Sequence, residues 1–146
     1  MDERLYRHIV EGSPDAIILG DAEGIIRLWN AAAEAVFGFT AAEALGLSMD
    51  LIIPERLRGR HWDGYRRVMA TGTSRYGPGD LLAVPAIRKD GSTISVEFTI
   101  QMLKDSDGRI SGAVATIRDQ TKRFQREKEQ AQRLKALEAR LRDDER

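Results

Sequence analysis

The segment Thr93-Ile94-Ser95-Val96-Glu97-Phe98-Thr99-Ile100-Gln101-Met102 alternates polar and apolar residues without a miss. Turn signals bracket it, Lys89-Asp90-Gly91-Ser92 before and Asp107-Gly108 after. A period of two marks a strand with one face buried and the other in water, and tight turns make its neighbours antiparallel. Beyond Asp119 the character changes: Gly and Pro vanish, and Glu, Gln, Lys, Arg, Ala and Leu run on to Arg146. A small sheet domain feeding a long polar helix suits the reporting of a state better than the turnover of a substrate.

The remaining punctuation places the other elements. Leu5 to Val10 carries apolar residues at helical spacing and stops near Gly12-Ser13-Pro14. Ala16-Ile17-Ile18-Leu19 and Ile25-Ile26-Arg27-Leu28-Trp29 read as strands joined by the turn Asp21-Ala22-Glu23-Gly24. Asn30 caps a helix that Gly38 closes, and Thr40 with Glu43 forms a capping box for a second one. A third helix starts near Pro54 and ends at Gly72. Gly77-Pro78-Gly79 then breaks the chain before strands over 80–88, 92–103 and 110–118. Five strands with one apolar face need a cover, and the short helices are the available one. The expected fold class is therefore α+β: a five-stranded antiparallel sheet roofed on one face by short helices, with a hollow between. An N-terminal flanking helix occupies 1–12, the domain 13–118, and a coiled-coil-like C-terminal helix 119–146.

Composition narrows the function. The chain has 146 residues, enough for one domain and an appendage. Its 23 basic and 23 acidic residues cancel and interleave, which argues against a nucleic-acid partner. With no cysteine, disulfides, thiolate metal sites, thiol catalysis and cysteine-linked chromophores are excluded. No apolar run approaches the ~20 residues that span a membrane, and Met1-Asp2-Glu3-Arg4 does not open a signal peptide. The expectation is a cytoplasmic module without a membrane partner, part of something longer. No Gly-rich phosphate loop follows a strand and no histidine cluster has metal spacing, so the chain is expected not to be an enzyme. Asp105, Asp107 and Gly108 share a few positions with a calcium loop, but the remaining ligands are missing and the tract reads as a turn.

On the third helix Leu57, His61, Tyr65 and Val68 fall on one face, and arginines decorate the rest. An imidazole on an apolar stripe is either a packed core histidine or a ligand, and imidazole binds haem iron well. Gly64, one turn on, would let a flat molecule approach. Small residues Gly112, Ala113 and Ala115 on the last strand either leave cavity volume or admit a close-packed helix. Trp29 and Trp62 sit where aromatics usually pack.

Several motifs in order then resemble a PAS domain over 5–121. They are Trp29-Asn30-Ala31-Ala32-Ala33-Glu34 with Phe37-Gly38-Phe39, Thr40-Ala41-Ala42-Glu43-Ala44-Leu45-Gly46, Arg88-Lys89-Asp90-Gly91-Ser92, and a closing Asp119-Gln120-Thr121. In the last, Gln120 stands where the family usually has an aliphatic residue. The resemblance implies a sensory or dimerisation module placed before an output domain such as a histidine kinase of a two-component system or a cyclase. The segment Ile53 to His61 also resembles haem-binding PAS domains of rhizobial oxygen-sensor kinases, which implies haem b with His61 as axial ligand. Leu57, Tyr65, Leu82, Val84, Phe98 and Ile100 are the candidate pocket. Leu82 stands where the oxygen-sensing members carry a distal arginine, which turns the implied stimulus towards carbon monoxide, nitric oxide or redox state. A cofactor-free dimerisation or interaction module is the alternative.

From Thr121 to Arg146 nothing breaks the helix, and Leu134, Leu137 and Leu141 make a short heptad seam that turns polar at Gln130 and Glu127. So polar a helix needs a partner to persist, so a homodimer through the flanking helices is expected. Asp119 and Thr121, at the junction of strand and helix, are the candidate transmission residues, Asp119 as a cap and Thr121 through a local backbone bond.

Overall fold

The computed structural model describes residues 2–74, 77 and 79–145; Pro78 of the expected chain break lies outside the described residues. The order is α1 (Glu3–Glu11), β1 (Ala16–Asp21), β2 (Ile26–Trp29), α2 (Ala31–Phe37), α3 (Ala41–Ala44), a 3-10 turn (Met49–Ile52), α4 (Glu55–Thr71), β3 (Leu82–Ile87), β4 (Thr93–Lys104), β5 (Ile110–Asp119) and α5 (Thr121–Asp144). The strands form one antiparallel sheet in the order β2-β1-β5-β4-β3. The α+β expectation holds. The 3-10 turn was not foreseen, since four residues are too few to display a period.

Register explains which residues face inward. Ala16 lies opposite Ile117, Ile117 opposite Phe98, and Phe98 opposite Leu82, so one rung carries four inward apolar side chains across the sheet. The next rung, Ile18, Ala115 and Ile100, continues the same face. Against it pack Ala33 and Phe37 of α2, Ala44 of α3 and Ile52 of the 3-10 turn, all buried with Ile18, Trp29, Val96 and Ile117. Each large apolar side chain removed from water in this way contributes about 1.5–3 kcal/mol.

Asn30 sits at the centre and is fully buried. Its carboxamide oxygen accepts from the amides of Ile17 at 2.9 Å and Ala33 at 3.0 Å. Its NH2 donates to the carbonyls of Val10 at 2.9 Å and Asp15 at 3.0 Å. The cap of α2 thus also fastens the end of α1 to β1, and a buried amide with all its hydrogen-bonding groups satisfied specifies one arrangement of these elements. The expected cap of α2 and the Thr40–Glu43 capping box are both present. Among the described residues no helix is long and apolar enough to cross a membrane.

Candidate functional site

Helix α4 follows Pro54, whose fixed backbone suits a helix entry, and Glu55 in the first turn complements the helix dipole. It ends at Gly72, which adopts the left-handed conformation. Leu57, Arg58, His61, Trp62, Tyr65, Val68 and Met69 form its half-buried side, and none of its residues is fully buried. The helix is held by polar contacts at its edges. The Tyr65 hydroxyl donates to the Asp21 carbonyl, the Trp62 indole N–H donates to Asp50 at 2.7 Å, and Arg58 donates to the Ile53 carbonyl at 3.0 Å. Trp62 also lies on Gly24 of the β1–β2 turn so closely that a Cβ there would come within 2.1 Å of the ring. Gly24 has φ +80°, so the turn needs glycine both for its backbone and for the ring above it.

His61, Trp62 and Tyr65 form a triangle of rings: the His61 centroid is 4.7 Å from Trp62 in an edge-on arrangement and 5.7 Å from Tyr65, and the Trp62 and Tyr65 centroids are 5.4 Å apart. Its Nδ1 is shielded from water and has no hydrogen-bond partner. Burial holds the imidazole's pKa below its ordinary value of 6.5, and the charge of Asp50 opposes that shift only in part. A neutral imidazole with an unsatisfied nitrogen is the form that ligates a metal, so this donor fits an axial ligand of haem. Burial beside Asp21 and Glu23 pushes the Tyr65 hydroxyl up to about 12, so it remains a donor.

The candidate walls are unevenly covered. Leu57, Tyr65, Leu82, Phe98 and Ile100 are half-buried, whereas Val84 is 39% exposed on the edge strand β3. Gly64 faces open space with nothing within 4 Å of where its side chain would start, so it offers no approach to an internal guest. Two hollows open elsewhere. One of about 590 Å³ lies where β4 runs on past β3, lined by Thr99, Ile100, Gln101 and Met102 with Val114 and Thr116 of β5 and the loop after α4. The other, about 710 Å³, lies between the start of α4 and Ile87. Ile100 alone of the candidate pocket residues lines either.

The junction of β5 with α5 is a polar knot. Asp119 accepts from the Thr121 amide at 2.9 Å, one residue before the N-cap position that Gln120 occupies. The Thr121 hydroxyl bonds to Asp119 and accepts from the Ser95 amide on β4 at 3.0 Å. Its backbone partner is therefore Ser95 on another strand, a correction to the expected local backbone bond, and its local bond is to the Asp119 side chain instead. Gln120 donates to the Ser95 hydroxyl at 3.0 Å, and Arg123 of α5 pairs with the buried Glu97 of β4. Ser95, Glu97 and Arg123 had no sequence signal, since Ser95 and Glu97 read as ordinary solvent-facing residues of an alternating strand and Arg123 as one of many charges on a polar helix.

A family model described as PAS fold matches residues 10–125. The chain belongs to the PAS-fold family. Sensor protein FixL of Bradyrhizobium diazoefficiens is 36% identical over 98 residues, covering 67% of this chain and 19% of that protein. An uncharacterised protein of Azorhizobium caulinodans is 35% identical over 114 residues, covering 77% of this chain and 15% of the relative. The PAS chain thus spans less than a fifth of either relative's length. Among solved structures, an RNA-binding light-oxygen-voltage receptor superposes with TM-score 0.72 at 21% identity, covering 90% of this chain and 37% of that one. The PAS domain of BvgS from Bordetella pertussis superposes with TM-score 0.63 at 23% identity, covering 93% and 96%. At those identities the likeness concerns the PAS fold alone.

Proposed function

We propose that this PAS domain is a sensory module that registers a small molecule between α4 and the sheet and passes its state through α5 to an attached output domain. The observation that carries the reading is that one strand serves both ends. β4 offers Phe98 and Ile100 to the incompletely covered inner face, and a few residues earlier its Ser95 and Glu97 hold the root of α5. A guest that displaces β4 must shift that root. The similarity to a protein named a sensor supports this direction. The module acts without catalysis of its own, in the cytoplasm, as a homodimer joined through its flanking helices, with neither nucleic acid nor membrane as partner.

The proposed guest is haem b, held by His61, with Leu57, Tyr65, Leu82, Val84, Phe98 and Ile100 as apolar surroundings. Bound haem would supply an iron whose gas ligand or redox state is the signal. Leu82 leaves the far side of the site without a charged donor for oxygen, so carbon monoxide, nitric oxide or redox state is the proposed stimulus. The test is the absorption spectrum of protein reconstituted with haem: a Soret band that is lost in His61→Ala supports it. Asp119→Ala is expected to uncouple ligand state from output, and unchanged signalling in that variant counts against the transmission path.

A second reading, a cofactor-free dimerisation module, is favoured by the commitment of Tyr65 to Asp21 and of Trp62 to Gly24 and Asp50, which leaves His61 packed against both rings. Protein that takes up no haem on reconstitution supports it.

A further inference from the structure

The outward side of α4 carries a charge pattern that its own fold does not use. At helical spacing Arg56, Arg60, Gly64 and Arg67 share one stripe, opposite the half-buried side of Arg58, Tyr65 and Met69. All four are exposed. Among the described residues none of the three arginines has an ion-pair partner. Asp63 beside them is already matched by Arg66 at 3.2 Å. Positive charge therefore stands uncompensated over roughly 16 Å of helix.

The glycines sharpen the pattern. Glycine is the poorest helix former after proline, yet Gly59 and Gly64 both lie within α4. Nothing stands within 4 Å of a Cβ at either position, and neither has a left-handed backbone. Neither conformation nor packing inside this chain calls for glycine there. On an exposed face, a missing side chain lets a second backbone come close, and the distance between packed helices is set by the side chains at their contact. The stripe begins at the hollow of about 710 Å³ beside Ile87, whose lining includes Arg56 and Arg58. Pro54 gives that first turn no side-chain cap, so a carboxylate arriving there meets a guanidinium and the positive end of the helix dipole together.

A helix with carboxylates along one face matches the stripe in charge, in length and in the shallow trough at Gly64. Phosphate polyanions fit it less well. The chain has no net charge to draw them in, and Asp63 within the face repels a dense row of phosphates. No large apolar side chain of α4 is exposed, so charge holds the contact and keeps it reversible. We infer that the outer face of α4 is a docking surface for an acidic helix of a partner protein, with Arg56, Arg60 and Arg67 pairing to its carboxylates across Gly64. This surface is separate from the proposed guest site and from the flanking helices, and it stands or falls independently of both.

An NMR titration of the isotope-labelled full chain decides the matter, the probe being an alanine-rich helical peptide with glutamate at every third or fourth position. The amide signals of Gly59, Gly64 and Arg67 are expected to shift. The shifts should fade as salt rises towards about 1 M, where charges are screened beyond about 3 Å. R60E/R67E, altered only at exposed positions, is expected to bind the peptide about tenfold more weakly. A peptide with lysine in place of glutamate should leave the unaltered chain unmoved. Gly64→Leu gives the second arm: its side chain meets open space, so it should melt no lower than the unaltered chain while its affinity for the peptide falls. No shifts on α4, shifts centred on another element, or full affinity in R60E/R67E or Gly64→Leu overturns the proposal. Equal binding by phosphatidylglycerol vesicles or a DNA duplex would make the stripe a site for anions in general, and overturns the choice of an acidic helix.

Discussion

Two ends of the same sheet are covered in different ways. Under α2, α3 and the 3-10 turn, Ala16, Ile18, Trp29, Phe37 and Ile117 are each at most 5% exposed, and Asn30 has all four side-chain hydrogen bonds made. Lys89 adds an ion pair to Glu43 at 2.6 Å, and the Trp29 indole donates to the Phe39 carbonyl at 2.9 Å. Farther along β3 and β4, Leu82, Phe98, Ile100 and Met102 are only half-buried, and α4 is secured by a few polar contacts to the β1–β2 turn and the 3-10 turn. The first end stores stability through area and hydrogen bonds. The second keeps its place through a small number of breakable links, as a region that must move requires.

The sharpest way to break this comparison is to truncate at both ends. Phe37→Ala empties a fully buried site and is expected to cost about 3–5 kcal/mol in denaturant unfolding. Gly24→Ala forces a Cβ into the Trp62 ring at a left-handed backbone position, and the two penalties sum to roughly 3 kcal/mol. It is expected to release α4 first, seen as faster amide exchange along α4 than along α2. Phe98→Ala, at the looser end, is expected to cost only about 2 kcal/mol because its side chain was never fully out of water. Equal losses for Phe37→Ala and Phe98→Ala would remove the distinction between the ends.

The smallest effect is a pH slope. The folded-state pKa of His61 lies below its ordinary 6.5, so the unfolded chain takes up the proton first as pH falls. Its contribution is fully present above pH 6.5 and is lost progressively as the medium is acidified through 6.5 towards the folded value. Melting temperatures of the native chain should therefore decline between pH 7.5 and 5.5 more than those of His61→Gln. Parallel profiles would mean that the imidazole is as well solvated folded as unfolded.

Much of the fold was legible because its signals are local. The alternation of β4, the caps at Asn30 and Thr40, and the stop at Gly72 each depend on residues within a turn or a strand of one another. What escaped depends on distance along the chain. Thr121 and Ser95 are 26 residues apart, and Asn30 reaches Val10 across 20, so no period or motif announces either bond. The half-buried stripe of α4 was foreseen at Leu57, His61, Tyr65 and Val68, but not that Tyr65 and Trp62 bind the β1–β2 turn, nor that Gly64 looks outward. A helical period shows which side of a helix is apolar; it carries no measure of how closely a sheet approaches that side.

The placement of the two indoles has a practical corollary. Trp29 lies within the well-packed end and Trp62 on the helix at the other, bonded to Asp50. Excitation of Trp29→Phe and Trp62→Phe variants would therefore read each half separately, and the emission colour of Trp62 should redden before that of Trp29 under mild denaturant. The chain carries its own optical gauge of whether it opens in one step or two.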